Sequence, residues 1–407
     1  MKNWKKKKLS EFCEFSNGLW TGKKPPFQKV GVIRNTNFSK DCLLDDSDIV
    51  YLEVEQSQFQ KRKLQYGDII LEKSGGGPKQ PVGRVVIFDK TEGDFSFSNF
   101  TSVIRIKNKN EVDFNFLHRY LFLEYISGAT EKMQSHSTGI RNLKFDEYKE
   151  IEIPLPPLPE QQRIVSILNE AFAAIAKAKA NAEQNLKNAK ELFESYLQGV
   201  FENGKWETKK LNEITEVKDG THDSPKYIKE GIPFVTQKNI KPDGLSFDDT
   251  KFITDTDHEK FYKRSNVTYG DILISMIGAN RGMAAIVDDK RVFSIKNVGL
   301  IKSSENINMN YLLYYLKSSL AMKYVLYMSN GGAQEFVGLT ALRSFPIPLP
   351  PLKEQKEIVR KLDALILETK KLEAIYQQKI DDLEELKKSI LQKAFAGELK
   401  TEKAVAV

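Results

Sequence analysis

Two stretches of this chain carry apolar and small residues in steps of four and three. The first runs Ile164, Leu168, Ala171, Ile175, Ala178, Ala182, Leu186, Ala189, Phe193, Tyr196 and Val200, with one extra step of four between Ala178 and Leu186. The second runs Ile358, Leu362, Leu365, Thr369, Leu372, Tyr376, Lys379, Leu383, Leu386 and Ile390 in strict alternation, with Thr369 and Lys379 as polar interruptions. This period draws a seam along an α-helix. About 40 residues of helix make a rod of roughly 60 Å. A rod with one apolar stripe needs a partner to cover it, and the nearest complementary stripe is the other rod. Two such helices in equivalent places of an internal repeat would pair antiparallel. The expected pairing residues are Ile164, Leu168, Ile175, Leu186 and Phe193 on the first helix. On the second they are Leu362, Leu365, Leu372, Tyr376, Leu383 and Ile390.

Ahead of each rod the pattern changes. "GDIILEKS" and "GRVVIF" are short β-rich runs, entered by a Tyr-Gly-Asp turn and by Gly83. "GDILISMIG" and "GMAAIVDD" repeat them later. "FNFLHRYLFLEYI" and "MNYLLYYLKSSLAMKYVL" have helical spacing with aromatics turned inward. An α+β module is the result. Between module and rod lies a proline segment, "IPLPPLPEQQRIV" in one copy and "IPLPPLKEQKEIV" in the other. Pro154, Pro156 and Pro157, like Pro348, Pro350 and Pro351, donate no backbone hydrogen bond and hold the chain extended. Glu160 and Glu354 follow in the first helical turn, where the helix dipole favours a carboxylate. Pro159 suits a helix start; Lys353 replaces it in the second copy.

The repeat covers the whole chain. "WKKKKLSEFCEF" from Trp4 returns as "WETKKLNEITEV" from Trp206, and "LQYGDIILEKSGG" from Leu64 as "VTYGDILISMIGA" from Val267. "LDDSDIVYL" from Leu44 echoes in "FDDTKFITD" from Phe247, and "FSFSNFTSVIRIK" from Phe95 in "FSIKNVGLIKS" from Phe293. "FNFLHRYL" from Phe114 recurs as "MNYLLYYL" from Met309; "ESYLQGVF", ending at Phe201, matches "KSILQKAF", ending at Phe395. One unit of about 200 residues is used twice. The expected parts are a module over 1–152, an exit and helix over 153–204, a second module over 205–346, a second exit and helix over 347–400, and a tail over 401–407.

Charge adds to this picture. The net charge of +7 is unevenly spread: residues 1–158 carry 25 basic and 21 acidic side chains, and 205–350 carry 20 and 17. The helical segments are nearly neutral, with 5 and 6 over 159–204 and 12 and 11 over 351–407. A basic excess on each module suits contact with a polyanion. The lysines at Lys2 and Lys5 to Lys8 precede no apolar run, so a signal peptide is not expected. No stretch approaches the roughly 18 apolar residues of a membrane span. Two distant cysteines, Cys13 and Cys42, suggest neither a metal clip nor a disulfide framework, and the cytosol is the expected compartment.

Two modules, each followed by "IPLPPLxEQ" and a long helix and each holding "YGDI", resemble the specificity subunit of type I restriction–modification systems. The resemblance spans essentially the whole chain; Lys353 in place of Pro159 is a minor departure. It implies an α+β fold of two similar target recognition domains, separated by two long antiparallel coiled-coil helices and related by a pseudo-two-fold axis. It further implies that each domain reads half of an asymmetric, split double-stranded DNA site. The helices would act as spacer and docking site for two methyltransferase subunits, with restriction or motor subunits joining through them. The chain itself would hold no catalytic residues and no metal. S-adenosylmethionine, ATP and Mg²⁺ would sit on the partners.

Base-reading candidates are polar loop residues, since Arg suits guanine and Asn or Gln suits adenine. In the first module these are Arg34, Asn35 and Asn37 of "IRNTNF"; Ser74, Lys79, Gln80 and Arg84 around "SGGGPKQPVGR"; and His136, Ser137, Arg141 and Asn142 of "HSTGIRN". In the second they are Gln237, Lys238 and Asn239 of "TQKNI", Asn280 and Arg281 of "GANRG", and Gln334 of "NGGAQ".

Enzyme signatures fail. The glycine loop lacks a Gly-Lys-Ser/Thr ending, and its spacing is no dinucleotide fingerprint. His118, His136, His222 and His258 are scattered without ligand spacing, and no Asn-Pro-Pro-Tyr-like motif marks an amino-methyltransferase. "PDGLSFDDTK" imitates a nuclease pattern through Asp243, Asp249 and Lys251, but the separation is short and the first copy places Asp48 opposite Lys251. The competing class is a coiled-coil adaptor whose modules bind protein; salt-dependent binding to duplex DNA separates the two.

Overall fold

The computed structural model describes residues 4–19, 22–77, 80–135, 140–328 and 336–399. The chain divides into two compact units, residues 1–182 with 378–407, and residues 183–377. Each unit therefore owns one module and half of each long helix, which cuts across the linear partition into modules and rods.

The first module is built on a four-stranded antiparallel sheet in the order Cys13–Asn17, Thr101–Ile106, Ile69–Glu72, Val85–Ile87. A three-stranded sheet, Val50–Glu55, Phe27–Ile33 and Phe95–Phe97, joins it, with its last pair parallel. The second module repeats both. Its sheets run Val217–Asp219, Val298–Ile301, Ile272–Ser275, Ala284–Ile286, and Lys251–Ile253, Ile232–Val235, Ser294–Ile295. The central strand has no solvent face: Ile69, Ile70 and Leu71, like Ile272 and Leu273, are fully covered. That explains a continuous apolar run where a half-exposed strand would alternate.

The shared Tyr-Gly-Asp turn opens this strand for a backbone reason. Gly67 and Gly270 have φ of +87° and +86°, a conformation that side-chain-bearing residues rarely adopt. The next residue is a buried acceptor. Asp68 takes the N–H of Gln65 and the guanidinium of Arg105, and Asp271 takes the N–H groups of Thr268 and Ser303 and the ammonium of Lys302. Arg105 and Lys302 both lie on or just past the neighbouring strand, so the motif locks turn to sheet. The tyrosines themselves are largely exposed.

The module's ends meet. Lys5–Lys8 pairs antiparallel with Glu152–Leu155, and Thr208–Lys210 with Pro346–Pro348. The prolines are tolerated because each ribbon has only two strands, leaving one edge unpaired. The long helices then run from Leu158 to Asn203 and from Leu352 to Phe395.

In the first unit, Ile164, Val165 and Leu168 from the start of the first long helix share a core with Leu391, Ala394 and Phe395 from the end of the second. In the second unit, Leu197 and Phe201 share one with Val359 and Leu362. Start meets end in both, so the helices pair antiparallel. The "GVF"/"KAF" repeat is now explained. Phe395 lies edge-on against Phe116 and Tyr120, and Phe201 packs against Tyr311 and Tyr315. Each such ring contributes roughly 1.5–3 kcal/mol by leaving water.

Three details differ from the sequence expectation. On the second helix Leu372 and Leu386 are 37% and 46% exposed, while Ile366, Ile380 and Lys387, each next to or one beyond an expected seam residue, are partly covered. Heptad counting cannot separate rows one residue apart. Lys387 displaces Leu386 because its stem crosses Phe122 and Phe172 and its ammonium reaches Asp41 at 2.5 Å. Similarly, Tyr196 faces out and Leu197 is buried. Second, "MNYLLYYLKSSLAMKYVL" is two helices, Met309–Lys317 and Ser319–Tyr327, because extended Ser318 ends one and caps the other at Ala321 N. Third, Lys251 aligns with Val50, not Asp48: both pair with equivalent positions of the central strand of the smaller sheet, Phe234 and Val32. The remaining expected pairing residues, Ile164, Leu168, Ile175 and Leu362, are buried, and Leu186, Phe193, Leu365, Tyr376, Leu383 and Ile390 are partly so. Among the described residues no helix is long and apolar enough to cross a membrane.

Candidate nucleic-acid interface

In each module a strand of the smaller sheet ends in a short 3-10 turn, Asn35–Asn37 in the first and Gln237–Asn239 in the second. The last residue of the turn has the same task in both. Asn37 accepts from Arg34 N at 2.9 Å and donates to the carbonyls of Asp45 and Asp48. Asn239 accepts from Thr236 N at 2.9 Å and donates to Ser246 O and Thr250 Oγ1. Both are buried with each end of the amide occupied. Neither can offer its amide to a base, which corrects their assignment as readers. The signal was available: a residue identical in both copies of an otherwise divergent repeat belongs to the scaffold.

Arg84 is a second correction. Its guanidinium grips Glu72 through two 2.8 Å bonds and also donates to Phe38 O and Asn35 O, at 6% exposure. This buried pair anchors the 3-10 turn to the central strand, and a cation with four of its five donors so committed has no pair left for bidentate contact with guanine. Ser74 and Asn142 bond to each other within a strand trio, Ser74–Gly76, Arg141–Leu143 and Gln134–Ser135. That bond uses the Ser74 hydroxyl and the Asn142 side-chain oxygen, and Arg141 is half-buried beside Gly76.

The remaining candidates converge on open clefts. In the first module Asn35 lies between two of them. One, of about 350 Å³, is lined by Asn35, Thr36, the three glycines Gly75–Gly77 and Gln80; the other, of about 440 Å³, by Arg34, Asn35, Thr36, Asn99 and Phe100. Arg34 is steadied by Asp48 at 3.5 Å. In the second module a cleft of about 580 Å³ gathers Lys238, Lys241, Asn280, Tyr227, Asp248 and Met283. Gln237 stands behind it, accepting from Ser275 Oγ at 3.2 Å, and Arg281 donates to Gly278 O. Lys79, His136, Ser137 and Gln334 lie outside the described residues.

Sequence reasoning missed Asn99, Phe100, Tyr227 and Lys241. Phe100 is 44% exposed, in a turn one residue longer than its counterpart between Ile295 and Val298. The extra residue is visible only once strand register is known. In the nuclease-like trio Lys251 is engaged elsewhere, its Nζ 4.3 Å over the Tyr227 ring. Among the described residues no group of three or more His, Cys, Asp or Glu is placed to hold a metal. Burial pushes the thiols of Cys13 and Cys42 up to about 12, so neither is a poised nucleophile.

A duplicated α+β module with polar, base-sized clefts and a paired-helix exit defines a class of tandem DNA-specificity proteins. The family model of the type I restriction modification DNA specificity domain matches twice, over residues 1–187 and 203–384. The chain belongs to that family, whose subunits recognise DNA within type I restriction–modification systems and carry no catalytic machinery. It is similar to the putative type I restriction enzyme MjaX specificity subunit of Methanocaldococcus jannaschii, 25% identical over 435 residues that cover 98% of this chain and 94% of that protein. It is also similar to the EcoKI specificity subunit of Escherichia coli K12, 25% identical with 92% and 82% covered. Among solved structures, a chain from work on complex assembly and conformational transition of the type I R-M system superposes with a TM-score of 0.77 at 20% identity, covering 98% of this chain and 99% of that one. The HsdS subunit from Thermoanaerobacter tengcongensis gives 0.66 at 20% identity, with 98% of each covered. At such identity these two speak for the fold.

Proposed function

We propose that each module reads one half of an asymmetric bipartite DNA site. The long helices set the unread gap between the halves and dock two methyltransferase subunits, and restriction or motor subunits join through these. In this reading S-adenosylmethionine is bound by the methyltransferase partners, and ATP and Mg²⁺ by the motor, so this chain supplies the address and its partners the chemistry. It works in the cytosol, where the host's DNA is.

The observation that carries the reading is that unlike clefts are built on a shared scaffold. The two scaffolds share strand order, turn and buried asparagine, yet at equivalent positions Asn35, Glu72 and Arg84 face Gln237, Ser275 and Met283. Phosphate contacts supply affinity without sequence information; groups in a cleft supply the choice. The test is to co-express the chain with its methyltransferase partner and map methylated adenines across the host DNA. A motif of two unlike halves with a constant gap is expected. A continuous or palindromic motif would overturn the reading. Absence of salt-dependent duplex binding by the assembled complex would favour a protein-binding adaptor instead.

A further inference from the structure

The glutamine of each "EQ" pair is buried at the base of a long helix, Gln161 at 0% and Gln355 at 1% exposure. Neither position is needed to start a helix, and a long polar side chain is costly there unless every polar atom is used. Both are used, and in the same way. The Nε2 of Gln161 donates to Pro156 O at 2.8 Å, and that of Gln355 to Pro350 O at 2.8 Å. The Oε1 of Gln161 accepts from Asp113 N at 2.9 Å, and that of Gln355 from Asn308 N at 2.8 Å. Asp113 and Asn308 are the N-caps of the module helices that begin at Phe114 and Met309. Gln161 adds a bond to Glu111 O at 2.9 Å.

One amide thus ties three things: the last turn of the proline exit, the first turn of the long helix and the cap of the helix packed under the module's sheet. Apolar contact alone lets a helix roll or tilt within its groove. Two directional bonds from a single planar group do not, because rotation of the long helix would strand a buried N–H and a buried carbonyl together. Glutamate lacks the donor, and asparagine is one methylene too short to span both partners. We infer that Gln161 and Gln355 are positioning residues that fix the angle at which each module leaves its helix, and through it the tolerance of the complex to the gap between half-sites. The inference rests on the bipartite reading above.

The test uses the full complex with its methyltransferase partners and duplexes carrying both half-sites at the native gap or at one base pair more or fewer. Initial methylation rates are compared for the wild type, Q161M, Q355M and the double variant. Expected is a several-fold rise in the rate at altered gaps relative to the native gap, larger in the double variant, with the penalty for a mismatched half-site unchanged. V30A, which weakens a core cluster of the first module that contains no residue of the joint, should lower the melting temperature and leave the gap ratio alone. If the methionine variants do not assemble, Q161N and Q355N keep a retracted amide and carry the same expectation. An unchanged gap ratio in variants of lowered stability would reduce the glutamines to ordinary structural residues and overturn the inference. A wild-type complex indifferent to the gap would overturn the bipartite reading and the inference with it.

Discussion

The two clefts are one design filled in two ways. In the first module a buried ion pair, Glu72 with Arg84, stands where the second has Ser275 and Met283, and Asn35 bonds toward Glu72 as Ser275 bonds toward Gln237. The backbone scarcely registers the change: the same strands pair in the same register, and Asn37 and Asn239 hold the same loop. A charged pair can be exchanged for a small hydroxyl and a thioether when both partners change together, because the Asp68 and Asp271 turns tie the central strand to its sheet alike in both modules. The shared turns and buried asparagines carry the scaffold, and the lining changes as a matched pair. That separation lets the address change without refolding the reader.

The hardest way to break the comparison is to transplant half of it. Arg84→Met puts the second module's residue into the first and leaves the Glu72 carboxylate buried without its partner, for an expected loss of about 3–5 kcal/mol in chemical denaturation. Adding Glu72→Ser completes the transplant and should recover most of that loss. If the double variant is no more stable than the single one, the two floors are not interchangeable. A comparable effect depends on pH. His118 is buried where the second module has Leu313, and its Nε2–H serves Cys42 O and Val85 O. Burial first, and the Arg119 charge second, lower its pKa from 6.5 to about 4. The unfolded chain therefore takes up the proton first as pH falls. The stability of the neutral form is full above pH 6.5 and is lost toward pH 4, by up to about 3 kcal/mol. Denaturation midpoints of His118→Leu should lose this acid slope, and a slope that survives would assign it elsewhere.

A smaller effect sharpens the functional side. Asn35→Gln borrows the second module's amide. It should shift the first half-site's sequence preference by about 1–3 kcal/mol per affected base pair, read from methylation of a half-site library, with little change in stability. The smallest effect belongs to Tyr269→Ala. Although Tyr269 sits in the repeated motif, it is 59% exposed, and its loss should stay within about 0.5 kcal/mol by denaturation.

Much of the architecture was legible because repetition made it so. The heptad runs, the proline exits and the order of modules all stand in the chain twice. What failed was finer. Lys387 beats Leu386 for the seam only because Phe122, Phe172 and Asp41 arrive from a distant part of the chain. Arg84 looked like a guanine reader because nothing local reveals Glu72 across the strand pair. The two asparagines were misassigned for the opposite reason: their recurrence argued for scaffold and was read as opportunity. Gln161 and Gln355 were in plain view within the repeated segment, but their partners lie 48 and 47 residues away in sequence. Local pattern gives the helix; only tertiary placement shows that it is bolted down.

The pairing of Lys5–Lys8 with Glu152–Leu155, and of Thr208–Lys210 with Pro346–Pro348, brings the way in and the way out of each reader side by side. A reader held by such a two-stranded stem is a removable cartridge. A foreign insert needs to match the stem, its glutamine bolt and the core that it shares with both long helices. Recombination between genes at those short matching stretches could hand the host a new DNA address in one event, with the rest of the machine untouched.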